Sequence, residues 1–82
     1  AWAILQAGRM VPKKGMVSAL RAFAGFHREF PRSTFTIAGE GPLRPALESL
    51  IAELGLANSV RLPGFLSQSQ LSEEFERAHL YL

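Results

Sequence analysis

The stretch AGRMVPKKG, at positions 7–15, joins an apolar run at positions 1–7 to an amphipathic run that extends from about 15 to 30. An apolar run that ends in glycine and leads into a helical pattern predicts a buried strand, a turn and a helix. In open α/β sheets such turns lie beyond the carboxyl ends of the strands, where the start of the helix favours anions. The stretch therefore predicts a β-α unit whose loop lies at a ligand-binding edge.

Three cations lie in this loop: Arg9, Lys13 and Lys14. The first acidic side chain of the whole chain is Glu29, so no residue close in sequence neutralises them. Gly8 allows the backbone to turn and to approach a ligand closely. A phosphate-bearing ligand fits such a loop, and a solvated basic turn fits it about equally well when the loop is considered alone.

Composition and charge limit the class of protein. The 82 residues suffice for one small domain at most, and a hydrophobic content of 48% is typical of a globular chain. The absence of cysteine excludes disulfides and thiolate metal sites, and no apolar run is long enough to be a transmembrane segment. A net charge of only +2, without interleaved basic and aromatic residues, argues against nucleic acid as a partner.

Strands and helices alternate along the rest of the chain. Residues 33–38 predict a second strand, residues 60–62 a third and residues 80–82 a fourth. Leucines at helical spacing follow the second strand, and Ser67 is a good N-cap for a more polar third helix. This alternation predicts an α/β fold with a Rossmann-like open parallel sheet, β-α-β-α-β-α-β, and the strand order 3-2-1-4.

Several residues mark the predicted helix ends. Gly15 or Ser18 is expected to cap the first helix. Pro42 is expected in the first turn of the second helix, and Gly55 is expected to close that helix in the left-handed conformation. The predicted core consists of apolar residues of the strands and of the first two helices: Ile4, Leu5, Leu20, Phe23, Phe35, Ile37, Leu47, Leu50, Ile51 and Leu54.

Several familiar kinds of site are excluded because their sequence motifs are absent or incomplete. No P-loop sequence is present, and there is no aspartate for a phosphoacceptor site. Gly39 and Gly41 resemble the opening of a dinucleotide fingerprint, but Arg44 occupies the position of its third glycine. His27 and His79 have no partners at metal-ligand spacing, so they are interpreted as a packed helix residue and a turn residue.

Four motifs taken together are more specific. They are GRMVPKKG at 8–15, L-x-x-F at 20–23, IAGEGPL at 37–43 and V-x-x-PGFL at 60–66. In this order and spacing they resemble the family 4 glycosyltransferases, which are retaining enzymes of the GT-B fold that use nucleotide-sugar donors. The resemblance extends over the whole chain. It implies that residues 1–82 are a partial nucleotide-sugar-binding domain, the first half of the C-terminal, donor-binding domain.

The resemblance also implies which cations take part in catalysis. In that family the arginine and lysine of the first loop bind the donor diphosphate, and by motif they fall on Arg9 and Lys14, whereas Lys13 occupies a variable position. Sugar transfer breaks the bond between the anomeric carbon and the diphosphate, so negative charge grows on the leaving phosphate. Fixed cations stabilise that charge more in the transition state than in the ground state. No metal or other cofactor is therefore expected.

Further substrate-binding residues follow from the same resemblance. Gly8 would allow the loop to approach the donor, and Gly39 and Gly41 would line the same crevice. The backbone around Phe65 and Leu66 would frame the nucleobase.

The implied function is sugar transfer from a nucleotide-diphosphate-sugar to an acceptor glycan or lipid, as in polysaccharide biosynthesis. A cytoplasmic location, or a peripheral one at the inner face of the membrane, is expected. The acceptor-binding N-terminal domain and the family's paired-glutamate motif would lie outside residues 1–82, so these residues alone are expected to be inactive. Two alternatives remain: a non-catalytic phosphate- or nucleotide-binding module, and another GT-B enzyme such as a sugar-nucleotide epimerase. The sequence that follows position 82 would distinguish them.

Overall fold

The computed structural model describes residues 2–82, in which strands and helices alternate. The elements are β1 (Ala3–Ala7), a 3₁₀ turn (Pro12–Lys14), α1 (Met16–Glu29), β2 (Thr34–Ala38), α2 (Arg44–Glu53), β3 (Val60–Gly64), α3 (Gln68–Arg77) and β4 (Leu80–Tyr81). All strand pairs are parallel, and the order across the sheet is β3-β2-β1-β4. The predicted fold class and the predicted order 3-2-1-4 are therefore confirmed.

The start of α2 differs from the prediction. The helix begins at Arg44 with Pro45 in its first turn, so Pro42 lies in the turn before the helix. The amide of Leu43 donates to the carbonyl of Met10 at 3.0 Å, across to the loop that follows β1. The residues after Pro42 thus first bind a neighbouring loop, and the helical hydrogen bonds begin only afterwards.

The third strand is longer than predicted, because it continues through Pro63 to Gly64. Pro63 has no N–H to donate, and the pairing of β2 with β3 shifts register between Thr36 and Ala38. Pairing resumes at Gly64, whose carbonyl accepts from the amide of Gly39 at 2.8 Å. A proline is tolerated here since β3 lies at the edge of the sheet.

The predicted helix caps are present. Gly15 is the N-cap of α1, and Ser67 forms a capping box with Gln70 at the start of α3. Gly55 has a φ of +69°, and Leu56 folds back so that its amide donates to the carbonyl of Ile51 at 2.9 Å. Capping by these residue types is a local property, which is why the sequence predicts it well.

The core lies mainly on one face of the sheet, between the strands and the helices α1 and α2. Every predicted core residue is buried except Leu54, which is half-buried and packs against the others. Five buried apolar residues were not predicted: Met10, Met16, Ala38, Leu56 and Val60. The burial of Met10 and Met16 means that both ends of the cationic loop are anchored in the core.

Polar contacts connect α3 to the other face of the sheet. On that face Arg61 donates to Thr36 Oγ1 at 2.9 Å and to Glu74 Oε1 of α3, also at 2.9 Å. Arg77 forms a second ion pair with Glu74 at 2.8 Å. Among residues 2–82 no helix is long and apolar enough to cross a membrane.

Truncation of Phe23 tests the assignment of the core. Its ring is buried against that of Phe35, with 5.3 Å between the centroids. Phe23→Ala should lower the free energy of unfolding by about 3–5 kcal/mol because it removes apolar contacts and leaves a cavity. Urea denaturation followed by circular dichroism measures the loss. The matched control is Phe65→Ala at a ring that is 82% exposed, where the change should stay within about 0.5 kcal/mol. Equal losses in the two variants would contradict the core assignment.

Candidate functional site

The site is built where three loops meet at the carboxyl ends of β1, β2 and β3. Backbone hydrogen bonds hold the loops together: the amide of Gly8 donates to Ala38 at 3.0 Å, and the amide of Gly39 donates to Gly64 at 2.8 Å. Gly8 and Gly39 lie so close that a methyl group on Gly39 would overlap the carbonyl oxygen of Gly8. Glycine at position 39 is therefore required by the close approach of two backbones, in addition to its φ of +132°.

A cavity of about 380 Å³ opens above these loops. Its size lies within the range of small-molecule sites. Its lining consists of Ala7, Gly8, Arg9, Ala38, Gly39, Glu40, Phe65, Leu66 and Leu71. It is thus an apolar crevice at the carboxyl edge of a parallel sheet, with a cation on its border.

Five of the predicted site residues come together at this cavity: Gly8, Arg9, Gly39, Phe65 and Leu66. They derive from loops that follow three different strands, which parallel pairing brings to one edge of the sheet.

Lys14 lies beside the cavity and next to Gly8. A methyl group added to Gly8 would lie 3.4 Å from Lys14 Cε and 3.5 Å from Lys14 Nζ. The ammonium group therefore lies near the backbone of Gly8, one residue from Arg9. This arrangement concentrates two positive charges on one side of the crevice.

Gly41 has a different environment from the other predicted site residues, because its backbone packs against that of Met10. A side chain at Gly41 would come within 2.5 Å of the carbonyl oxygen of Met10. The Met10 amide also donates to the carbonyl of Glu40 at 2.9 Å. Gly41 thus brings the loop after β2 against the loop after β1.

The cations of the loop at 9–14 have no carboxylate partner within residues 2–82. The ion pairs within residues 2–82 are formed by three other arginines, Arg44, Arg61 and Arg77. Arg9 and Lys14 are both exposed, so their charges are available to an anionic ligand.

Glu40 is a cavity residue that the sequence analysis did not select. Its carboxylate lies 3.2 Å from Arg44 NH1, and Arg44 NH2 donates to the carbonyl of Leu62 at 3.0 Å. The arginine thereby compensates the one carboxylate among the cavity residues, and the positive charge of the opposite loop remains unopposed. Its position between Gly39 and Gly41, two glycines predicted to line the crevice, could have identified Glu40 as a cavity residue from the sequence.

The two histidines lie away from the cavity. His27 Nε2 is 2.9 Å from the hydroxyl of Ser59, and His79 Nδ1 accepts from the amide of Ala3 at 3.0 Å. Within the described part of the chain, no three side chains of His, Cys, Asp or Glu are grouped as metal ligands.

A methyl group at Gly39 tests the loop contact. Gly39→Ala should lower the free energy of unfolding by about 2–5 kcal/mol, because it adds an overlap with Gly8 to the backbone strain. The matched control is Gly55→Ala, where φ is +69° and no atom lies within 4 Å of the added group. There strain alone should cost about 1–2 kcal/mol. Chemical denaturation measures both variants, and equal losses would mean that Gly8 and Gly39 are not in close contact.

Known proteins share both the sequence and the fold. The family model described as "Glycosyl transferases group 1" matches residues 1–82. Alpha-D-kanosaminyltransferase of Streptomyces kanamyceticus is 41% identical over 64 residues, which are 78% of this chain and 17% of that protein. Alpha-monoglucosyldiacylglycerol synthase of Acholeplasma laidlawii is 30% identical over 74 residues, which are 90% of this chain and 19% of that protein.

A solved structure agrees with this match. The pneumococcal O-GlcNAc transferase GtfA, in complex with UDP and GlcNAc, superposes with a TM-score of 0.89 at 25% identity. The superposition covers 98% of this chain and 15% of that one. The chain therefore spans less than one fifth of the length of these relatives. With its whole length matched and its sheet order shared, the chain belongs to the group 1 glycosyl transferases and has the Rossmann-like fold of GT-B enzymes.

Proposed function

We propose that this chain forms the donor-binding part of a retaining, family 4 glycosyltransferase that uses a nucleotide-diphosphate-sugar. The observation that carries the proposal is the pair of uncompensated cations, Arg9 and Lys14, beside Gly8 at the border of the cavity. Family membership makes sugar transfer the chemistry to consider. A diphosphate leaving group is the part of such a donor that two cations would recognise.

The cavity has two chemically different sides. Arg9 and the nearby Lys14 follow β1, whereas the apolar Phe65 and Leu66 follow β3, and β2 separates these two strands in the sheet. A nucleoside diphosphate has the same polarity, with anionic phosphates at one end and a flat base at the other. We assign the diphosphate to the cationic side and the base to the backbone at Phe65 and Leu66.

The cations would act most strongly in the transition state. As the bond from the anomeric carbon to the phosphate oxygen breaks, the electron pair goes to the leaving diphosphate and the sugar becomes cationic. Arg9 can grip a phosphate with two parallel N–H bonds, and the ammonium of Lys14 supplies a compact charge. Groups fixed before the reaction stabilise this charge without reorganisation, which lowers the barrier to transfer.

The relatives suggest where the search for substrates should begin. The pneumococcal O-GlcNAc transferase was solved with UDP and GlcNAc, so a uridine diphosphate sugar is the first donor to test. The Acholeplasma relative is named for a glucosylated diacylglycerol. This name supports testing lipid acceptors as well as glycans. We assign acceptor binding to a separate N-terminal domain of the whole protein. The cellular location stays a prediction.

Alanine substitutions in the whole protein test the roles of the cations. Arg9→Ala and Lys14→Ala should each lower turnover by about 10²–10³-fold and should also raise the Michaelis constant for the donor, because each removes a preorganised stabilising group. The matched control is Lys13→Ala, which removes the same charge one residue away and should leave both constants unchanged. Steady-state kinetics measures the effects, with circular dichroism as the check on folding.

Two outcomes would contradict this assignment. Wild-type kinetics in both Arg9→Ala and Lys14→Ala would mean that the loop is only a basic turn. Donor binding without transfer by the whole wild-type protein, over a panel of glycan and lipid acceptors, would favour a non-catalytic nucleotide-binding module.

We also propose that transfer needs no divalent metal, because Arg9 and Lys14 supply the positive charge at the leaving diphosphate. Treatment of the whole protein with EDTA should leave turnover unchanged. Added Mg²⁺ or Mn²⁺ should give no activation. Loss of activity in EDTA that Mg²⁺ or Mn²⁺ restores would contradict this part of the proposal.

A further inference from the structure

Gln6 places an amide in the apolar core beneath the cationic loop. It is the next-to-last residue of β1, adjacent to Ala7, and only 8% of it is exposed. Alternation along the strand gives it the same face as Ile4, which belongs to the core between the sheet and α1 and α2. Its partner across the sheet is Ile37, another core residue. A glutamine in this position requires an explanation other than apolar packing.

The side chain of Gln6 is bound to the backbone of the loop. Gln6 Nε2 donates to the carbonyl of Lys14 at 3.3 Å. Lys14 ends the 3₁₀ turn, and the first helical hydrogen bond of α1 runs from Ala19 to the carbonyl of Gly15, one residue later. The Lys14 carbonyl therefore lies outside both sets of backbone hydrogen bonds, and Gln6 provides its partner.

Stability alone does not account for this glutamine. Its other polar atom, Oε1, is buried and has no hydrogen-bond partner within residues 2–82. A buried oxygen without a partner costs free energy, and an apolar side chain of similar length would avoid that cost. The contact with Lys14 is what an apolar residue could not provide.

We propose that Gln6 is a positioning residue for Lys14. The Gln6 amide binds the Lys14 carbonyl and so fixes the position of the Lys14 backbone. The backbone position in turn determines where the lysine side chain begins, and its ammonium lies near Gly8. Gln6 thus tunes the binding of the diphosphate without touching it. This inference rests on the proposed function, since it assumes that Lys14 meets the phosphates of a nucleotide.

The test compares Gln6→Met with wild type in the whole protein. The probe is whichever of UDP, GDP and ADP binds wild type most tightly in calorimetry, and its own nucleoside serves as the phosphate-free reference. Gln6→Met should weaken binding of the diphosphate about tenfold, because the Lys14 backbone is no longer fixed and the ammonium is less well positioned. Binding of the nucleoside should change by less than about twofold. The melting temperature should stay close to that of wild type, because removal of the buried unpaired oxygen offsets loss of the hydrogen bond to the Lys14 carbonyl.

Two controls separate positioning from a general effect on the fold. Ile4→Val, on the same face of the same strand, should lower the melting temperature and leave the ratio of the two affinities unchanged. In a Lys14→Ala background, Gln6→Met should weaken diphosphate binding by less than about twofold further, since the group that it positions is absent. Gln6→Leu is measured in parallel as a second apolar variant and should behave like Gln6→Met.

The possible failures are distinguishable. If Lys14→Ala weakens diphosphate binding but Gln6→Met and Gln6→Leu do not, the positioning role is wrong and the proposed function stands. Equal weakening with and without Lys14 would also overturn the positioning role, as would unfolding of both apolar variants. If wild type binds none of the three diphosphates, or Lys14→Ala has no effect on their binding, the proposed function fails and this inference fails with it.

Discussion

Close contact between the backbones of Gly8 and Gly39 is the constraint on which the rest of the structure depends. Because β1 and β2 pair in parallel, their carboxyl ends lie side by side at one edge of the sheet. Hydrogen bonds from Gly8 to Ala38 and from Gly39 to Gly64 continue the strand pairing into the loops. No side chain fits between the two loops at Gly39. The floor of the cavity is therefore made of backbone, which leaves polar backbone groups close to any ligand that enters.

The charge around the cavity depends on which arginines and lysines are paired with carboxylates. Arg44 is held by two carboxylates and a carbonyl, so it compensates Glu40 and also ties α2 to β3. Arg9 and Lys14, across the cavity, have no such partners within residues 2–82. Both cations are exposed, so they remain free to meet an anion such as the diphosphate of the proposed donor.

The cationic loop is exposed in its side chains and anchored in its backbone. Met10 and Met16 are buried at its two ends, and the Gln6 amide binds the Lys14 carbonyl between them. Anchoring of this kind restricts the main chain while the charged side chains remain in solvent. A loop of this construction combines access for the ligand with little conformational freedom to lose on binding.

The sequence by itself determined the alternation of strands and helices, the sheet order and most helix caps, because periodicity, turn residues and capping act over a few neighbouring residues. It also identified the glycines and cations of the candidate site, through motifs that are contiguous in the chain. Only the tertiary structure decided that Gly41 packs on Met10, that Glu40 borders the cavity and that Gln6 reaches Lys14. These contacts join different segments across the sheet edge, and their geometry depends on how the loops pack, which no local pattern encodes.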